Sequence, residues 1–235
     1  MSSAHKPLVY IISAPSGSGK STLVNELLKS VGDLDFSISY TTRARRGSEE
    51  NGKQYYFVSR LEFEKMILED EFLEHAEVFG NYYGTARRFL REAEEKGHDL
   101  LLDIDVQGAA QIQHKLPDAI SIFILPPDRN TLEERLRKRG EDRDEVIERR
   151  LIAASREIQN FDRYNYILVN NILEESSALL RAIVRSERLL RSGVTLSDEE
   201  AANVAQANPC RLANARARLQ RILDSFKPPV GSGAG

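Results

Sequence analysis

The chain lacks several features that define large classes of protein. It has a single cysteine, Cys210, among 235 residues, so no internal disulfide can form. This is typical of proteins that stay in a reducing cytosol. No apolar run approaches the length that crosses a membrane, and the short apolar run after Lys6 leads straight into a glycine-rich loop, which argues against a signal peptide. We therefore expect a cytoplasmic protein that does not bind membranes.

Strong charge of either sign is also missing. The formal net charge is −3, from 33 lysines and arginines against 36 aspartates and glutamates. So mild a balance gives no sign of binding to nucleic acid or to a membrane surface. Apolar residues make up 41% of the chain and charged residues 29%. This composition suits one large soluble domain, or a core with inserted lobes.

The strongest functional signal is a glycine-rich loop between a predicted strand and a predicted helix. The strand is the apolar run of residues 8–12, and the helix has its apolar face between residues 23 and 31. The loop and the helix start consist of Ala14, Pro15, Ser16, Gly17, Ser18, Gly19, Lys20 and Ser21. This context favours a phosphate site, in which main-chain N–H groups surround an anion, Lys20 reaches the β- and γ-phosphates of ATP, and Ser21 binds Mg²⁺. The alternative is a turn with an incidental lysine.

One residue of this loop departs from the usual pattern. Ala14 stands where the strict phosphate-loop motif has its first glycine. Alanine is small, and Pro15 fixes the backbone angle φ that follows it. We therefore expect the loop to keep its form.

Further along the chain, apolar runs alternate with helical patterns. The runs are residues 100–105, 120–125 and 166–169, and the helical patterns cover about 87–96, 107–115, 130–139, 144–159 and 173–191. This alternation predicts an α/β fold of the P-loop NTPase type, with helices on both faces of a parallel sheet. Gly97 is expected to end one helix, and Asn130 or Thr131 to cap another.

Two regions stand apart from this frame. Residues 40–86 have β character and are interpreted as an inserted lobe, with a short strand at 36–39 before it. A hairpin is expected at Asn51–Gly52, and an aromatic turn over residues 80–85. After residue 192 two helices are expected, at 198–206 and 211–226, with a disordered tail from Pro228 to Gly235. This extension either packs on the core or forms an oligomer contact, so the sequence leaves a monomer and a homo-oligomer open.

Two carboxylates follow a predicted buried strand, at the end where open parallel sheets bind their ligands. They are Asp103 and Asp105. Asp103 is a candidate for holding Mg²⁺ through a water molecule. The alternatives are a solvated strand end and a helix N-cap.

Arginines cluster in two places. They are Arg43, Arg45 and Arg46 in one loop, and Arg135, Arg139 and Arg150 in two predicted helices. The loop arginines are suited to a bidentate grip on a phosphate, or they form a solvated basic loop. The helical arginines either neutralise charge on a transferred γ-phosphoryl group or pair with neighbouring glutamates on a charged surface.

Six motifs in chain order make the sequence resemble the guanylate kinase family. They are S-A-P-S-G-S-G-K-S-T-L at 13–23, S-I-S-Y-T-T-R-A-R-R-G at 37–47, F-L-E-H-A-E-V-F-G-N-Y-Y-G-T at 72–85, L-D-I-D-V-Q-G at 102–108, S-I-F-I-L-P-P at 121–127 and I-L-V-N-N at 167–171. The resemblance covers residues 7–190, and the run at 72–85 is highly specific. It implies an enzyme that uses ATP and Mg²⁺ to phosphorylate GMP, with dGMP left open as a substrate.

The resemblance also implies a division of the chain and roles for single residues. The parts are a P-loop core at 1–39, 87–129 and 151–191, a GMP-binding lobe at 40–86, a mobile lid at 130–150, and the helical extension at 192–235. The GMP phosphate would be held by Arg43, Arg46, Tyr55 and Tyr83, and the guanine by Ser39, Glu74, Thr85 and Asp105. The residues expected to act on the transferred group are Lys20, Arg43, Asp103 and the lid arginines Arg135, Arg139 and Arg150. Asn170 matches a position near the ATP adenine.

Two rival functions follow from the same motifs. A P-loop kinase for another small substrate would share the phosphate loop. A guanylate-kinase-like binding module without catalysis would share the fold and bind phosphopeptides, but it would need neither Lys20 nor Ser21. The chain departs from the family at Arg45, where proline is common, at Asn171, where aspartate is common, and in the added extension.

Overall fold

The chain forms two compact units, each built of strands and helices. The structure, a computed structural model, describes residues 6–138 and 143–227. One unit comprises residues up to Ser13 together with Leu28–Ser121, and the other comprises Ala14–Leu27 together with the residues from Ile122 onward. Among the described residues, no helix is both long and apolar enough to span a membrane.

The secondary structure follows the expected alternation. The strands are β1 Val9–Ser13, β2 Leu34–Phe36, β3 Tyr40–Thr41, β4 Tyr56–Phe57, β5 Phe72–Val78, β6 Asn81–Ala86, β7 Asp99–Asp103, β8 Ile120–Leu125 and β9 Tyr166–Val169. The α-helices are α1 Lys20–Ser30, α2 Arg60–Leu68, α3 Arg88–Lys96, α4 Val106–Lys115, α5 Arg129–Lys138, α6 Asp144–Ile158, α7 Leu173–Ser192, α8 Asp198–Ala207 and α9 Leu212–Ser225.

Three parallel strands of the first unit lie side by side in one sheet. β7 lies between β2 and β1, and Val9 of β1 is in register with Leu100 of β7. All five residues of β1 are buried, as are the first four of β7. A strand that is covered on both faces is a continuous apolar run, which is how these residues appear in the sequence. The last residue of β7, Asp103, pairs with Ile12 at the carboxyl end of the strands.

A separate four-stranded sheet in the first unit has the order β4-β3-β6-β5. Its apolar face packs on α2 through a cluster of Phe63, Met66 and Phe72. β5 and β6 are antiparallel, with Glu74 opposite Thr85. This sheet lies within residues 40–86, which the sequence marks as having β character.

Three local expectations for this region are wrong. The segment expected as an aromatic turn is the strand β6, because its tyrosines and Thr85 pair with β5, and the turn is made by Phe79 and Gly80, which have positive φ. There is no hairpin at Asn51–Gly52, since β3 and β4 are parallel. Here the side-chain oxygen of Asn51 accepts a hydrogen bond from the N–H of Phe57 and closes a compact loop. The early strand covers Leu34–Phe36 rather than residues 36–39.

In the second unit, β8 and β9 pair in parallel, with Leu125 opposite Val169. α5 begins at Arg129, and its first turn is capped by Asp128, whose carboxylate accepts hydrogen bonds from the N–H and hydroxyl of Thr131 at 2.7 and 3.0 Å. The expected cap at Asn130 or Thr131 is therefore wrong, since the charged side chain one position before the helix is better placed. The C-terminal extension forms α8 and α9 as expected, and its tail, Pro228–Gly235, lies outside the described residues.

Candidate functional site

The glycine-rich loop of the second unit leads directly into α1, whose first residue is Lys20. Gly17 and Gly19 have φ values of +95° and +87°, in the region that favours glycine. The N–H of Ser18 donates to the carbonyl of Pro15 at 3.1 Å. The loop therefore keeps its tight form with Ala14 at its start, and the following helix adds the positive end of its dipole. Ser21 is exposed in the first turn of α1.

Asn170, just after β9, is bonded to this loop. Its side-chain Nδ2 donates to the carbonyl oxygen of Ser18 at 2.7 Å, and its own N–H donates to the carbonyl of Leu125 at 2.8 Å. Only 5% of Asn170 is exposed. A Cβ atom at Gly19 would lie 2.3 Å from Nδ2, so glycine is needed there for this contact as well. The sequence did not indicate this bond, and the position of Asn170 beside an adenine stays a prediction.

Arg135 of α5 lies beside Asn170. Its Nη2 donates to the backbone carbonyl of Asn170 at 3.0 Å. Its Nη1 is buried and has no hydrogen-bond partner among the described residues, so it is a spare donor beside the loop. Glu133 and Glu148 pair with Arg129, and Glu133 pairs also with Arg137.

The two other arginines that are expected in a lid are Arg139 and Arg150. Arg150 lies half-buried on α6. Arg139 lies outside the described residues. Their roles at a γ-phosphoryl group stay predictions.

In the first unit, Glu74 is a carboxyl group held inside the protein. Only 3% of it is exposed, and Thr85, its partner across the β5–β6 pair, donates its hydroxyl to Oε1 at 2.7 Å. Burial raises the pKa of Glu74 to about 7; the hydrogen bond from Thr85 opposes this rise, and the nearby charge of Asp105 adds to it. A buried carboxyl whose pKa is raised to about 7 marks Glu74 as a candidate functional residue.

Gly108 of α4 makes room for this carboxyl group. A Cβ atom at residue 108 would lie 2.4 Å from Oε2 of Glu74, and 2.9 Å from its Cδ. The sequence included Gly108 only as part of a motif. The signal that would have indicated its role is a glycine inside a helix, where alanine is normally more stable.

The two strand-end aspartates have different positions. Asp105 is the N-cap of α4, because its Oδ1 accepts hydrogen bonds from the N–H groups of Gln107 and Gly108 at 3.1 and 2.8 Å. The cap alternative is thus what the structure shows, and it also fixes Asp105 beside Glu74. Asp103 is half-buried at the end of β7. Burial, and then the charge of Asp103, raises the pKa of Tyr55 to about 12.

The Arg43 side chain is fixed by a residue that the sequence analysis missed. Glu49 accepts hydrogen bonds from Nη1 and Nη2 of Arg43 at 3.0 and 2.8 Å. This bidentate bond raises the pKa of Arg43 and lowers the pKa of Glu49. Glu49 also accepts the backbone N–H of Arg46, whose guanidinium is exposed. The planar carboxylate occupies the fork that a phosphate would use.

Aromatic rings lie beside Arg43. Arg43 lies 5.3 Å from the centre of the Tyr55 ring, and Tyr55 meets Tyr83 edge to face with ring centres 5.9 Å apart. Ser39, half-buried just before β3, accepts the N–H of Tyr56 at its carbonyl. The first unit therefore gathers Arg43, Tyr55 and Tyr83 in one group, and Glu74, Thr85 and Asp105 in another.

A glycine-rich loop at a helix N-terminus and a buried carboxyl, in a chain whose strands alternate with helices, define an α/β nucleotide-binding protein of the P-loop type. Comparisons with known proteins show which family within this class the chain resembles. The family model for guanylate kinase matches residues 6–187.

Individual relatives agree with the family model. A guanylate kinase of Koribacter versatilis is 59% identical over 222 residues, which are 93% of this chain and 95% of the relative. That of Escherichia coli is 49% identical over 186 residues, covering 78% and 90%. A crystal structure of guanylate kinase from Anaplasma phagocytophilum has a TM-score of 0.64 and 38% identity, covering 78% of this chain and 87% of that one. The chain belongs to the guanylate kinase family. The resemblance and the α/β fold class expected from the sequence are confirmed.

Proposed function

We propose that this protein catalyses phosphoryl transfer from ATP to GMP, giving ADP and GDP. The observation that carries the proposal is the buried carboxyl of Glu74, held by Thr85 in a family whose relatives are named guanylate kinases. Guanine has donors at N1–H and N2–H, and a carboxylate accepts both. Adenine has a lone pair at N1, which a carboxylate repels. A site built on such hydrogen bonds rejects the wrong base strongly.

The phosphate of GMP is proposed to bind Arg43, Arg46, Tyr55 and Tyr83. Arg43 already forms a bidentate pair with Glu49, so the GMP phosphate would take the place of this carboxylate in the fork. Ser39 and Asp105 would complete the guanine contacts. Because a GMP phosphate oxygen is the nucleophile, no strong general base is needed, and positioning and charge stabilisation supply most of the rate.

ATP is proposed to bind the loop of residues 14–19. The two loop glycines hold positive φ values and the loop lies at the start of α1, which fits a triphosphate bound by main-chain N–H groups. Lys20 would contact the β- and γ-phosphates, Ser21 would bind Mg²⁺ and Asp103 would reach the ion through water. When bound there, Mg²⁺ would supply positive charge that offsets the negative charge of the phosphates. Arg135, Arg139 and Arg150 would stabilise the transferred group.

The division into a core, a GMP-binding lobe at 40–86 and a lid at 130–150 belongs to the same proposal. Closure of the lobe and lid over both nucleotides would exclude water, which otherwise competes with GMP for the phosphoryl group. The cytoplasmic location and the absence of nucleic-acid partners stay predictions.

The proposal is tested by separating the products of a reaction with ATP, GMP and Mg²⁺ by chromatography. We expect ADP and GDP to form in equal amounts, and to disappear when a chelator removes the ion. GMP binding without any GDP would support the binding module instead. Turnover with a different acceptor but not with GMP would support another small-substrate kinase.

Replacing Gly108 with alanine is expected to raise the KM for GMP by about tenfold, since the new Cβ would push Glu74 from its place. The KM for ATP should not change. Gly32→Ala is the control, because a Cβ at Gly32 has nothing within 4 Å. Steady-state kinetics decides the matter, and equal GMP constants for both variants would contradict the assignment of Glu74.

Replacing Asn170 with alanine is expected to raise the KM for ATP by about three- to tenfold, because the loop loses the buried bond to the Ser18 carbonyl. The KM for GMP should stay constant. Asn171→Ala provides the comparison, as Asn171 is exposed and is the next residue along. An unchanged KM for ATP in Asn170→Ala would show that the loop holds its form without this bond.

A further inference from the structure

The C-terminal extension is an integral part of the second unit. The family model ends at residue 187, before α8 and α9 begin. Yet five residues of this segment are buried in the part that the structure describes, up to residue 227: Ala207, Cys210, Ala215, Leu219 and Phe226. A segment that adds this many side chains to a core affects the elements on which it packs.

One end of α9 holds β9. The backbone of Arg211 bridges that of Tyr166 on β9, and the N–H of Leu212 donates to the carbonyl of Asn165 at 2.9 Å. The guanidinium of Arg211 lies 4.9 Å from the centre of the Tyr166 ring. Glu187 joins the two side chains, since its Oε1 accepts hydrogen bonds from both. β9 leads to Asn170, which contacts the phosphate loop.

The other end of α9 holds the start of α5. Ser225 Oγ accepts a hydrogen bond from the backbone N–H of Arg129 at 3.2 Å, and donates its own proton to the carbonyl of Ile222 at 2.6 Å. Arg129 is the first residue of α5, and the first N–H groups of a helix have no partner inside the helix. Asp128 accepts a hydrogen bond from the N–H of Thr131. Ser225, which belongs to the extension, accepts one from the N–H of Arg129.

We propose that Ser225 is a positioning residue for phosphoryl transfer, through which the extension sets the start of α5. This rests on the proposed function. α5 carries Arg135, which bonds to the carbonyl of Asn170 and has a buried spare donor beside the loop. Without the Ser225 hydroxyl, the half-buried N–H of Arg129 loses its hydrogen-bond acceptor. The first turn of α5 is then held less firmly in position. Arg135 is then held less well where the phosphoryl group passes.

The test compares Ser225→Ala, Ser225→Thr and Ser192→Ala in the full-length protein. Ser192 is a matched control, because it ends α7 and its hydroxyl donates to the carbonyl of Leu189 at 2.7 Å, as Ser225 does to Ile222. Threonine keeps the hydroxyl. We expect Ser225→Ala to lower kcat and raise the KM for ATP, each by about two- to fivefold, with the KM for GMP unchanged. Ser225→Thr should recover most of the loss, and Ser192→Ala should match the wild type.

Amide hydrogen exchange and ATP calorimetry give readouts that do not depend on turnover. Exchange at the Arg129 N–H should be faster in Ser225→Ala only, and ATP affinity should fall in that variant only. If Ser225→Ala merely melts at a lower temperature with wild-type kinetics and ATP affinity, the proposal is wrong. A wild-type protein that binds ATP but makes no GDP would refute the proposed function, and the ATP affinities of the variants would still decide the role of Ser225.

Discussion

The variant Lys20→Met is expected to lose turnover by about a thousandfold or more, while its affinity for GMP stays that of the wild type. Lys20 is the first residue of α1, directly after the loop glycines. A lysine at this place is proposed to neutralise charge that grows on the β- and γ-phosphates as the phosphoryl group leaves. Methionine keeps the length and the packing of the side chain but has no charge. GMP binds residues of the other unit in this account, so its binding should be spared.

Lys29→Met is the matched control, because Lys29 lies in the last turn of the same helix. It should keep wild-type kinetics. The measurements are kcat by coupled ADP release, and the dissociation constant of GMP by calorimetry. A Lys20→Met variant with more than a tenth of the wild-type turnover would show that the loop is not the site of ATP activation.

Glu74→Gln is expected to lower kcat/KM for GMP by about a hundredfold or more, while ATP binding stays unchanged. Glutamine still accepts the hydroxyl of Thr85, which bonds to Oε1 of Glu74 at 2.7 Å. However, its amide presents a donor to guanine, which itself has donors at N1 and N2. A site in which buried donors face one another loses much more binding free energy than a single hydrogen bond contributes.

The same variant should be more stable than the wild type without ligand. Burial raises the pKa of Glu74 from 4.5 to about 7. Between these pH values the folded protein keeps a proton that the unfolded chain releases, so the stability falls as the pH rises from about 4.5 to about 7. Glutamine avoids this loss, which is on the order of 3 kcal/mol at pH 8. Thermal unfolding should show a higher Tm for Glu74→Gln at pH 8 and a difference that shrinks towards pH 4.5.

Two comparisons control this result. Glu77→Gln changes an exposed residue of the same strand and should alter neither stability nor GMP kinetics. The wild-type KM for GMP should rise as the pH falls below about 7, since a protonated Glu74 accepts fewer hydrogen bonds, and the KM of Glu74→Gln should not follow. A GMP kcat/KM that survives in Glu74→Gln would refute the assignment of the guanine site.

The sequence correctly predicts the strands and helix ends that depend only on the local residues. The runs of β1 and β7 are apolar throughout because both faces are buried, and α3 ends at Gly97, whose φ of +70° suits glycine. The sequence fails to predict elements that depend on pairing between strands. The tyrosines and glycine of β6 are typical of a turn, but pairing with β5 makes this segment a strand. Asn51–Gly52 is a hairpin signal, yet its chain continues into a parallel pairing that no local rule predicts.

Contacts between distant side chains were beyond sequence reasoning. Asn170 and Ser18 are 152 residues apart in the chain, and only folding brings the amide to the loop carbonyl. Glu49 is one of two adjacent glutamates in a basic loop, and its bidentate bond to Arg43 depends on how that loop folds. Gly108 is needed because Glu74 lies against it. The contacts of Asn170 with Ser18 and of Gly108 with Glu74 join segments whose patterns are independent.

The most direct test of the account is the initial rate of ADP release with GMP, dGMP, AMP, CMP and UMP as acceptors, at fixed ATP and Mg²⁺. The account predicts that kcat/KM for GMP exceeds that for AMP by about 10⁴, because only guanine satisfies the buried carboxylate of Glu74. A protein that uses AMP as well as GMP would contradict the claim that Glu74 selects the base.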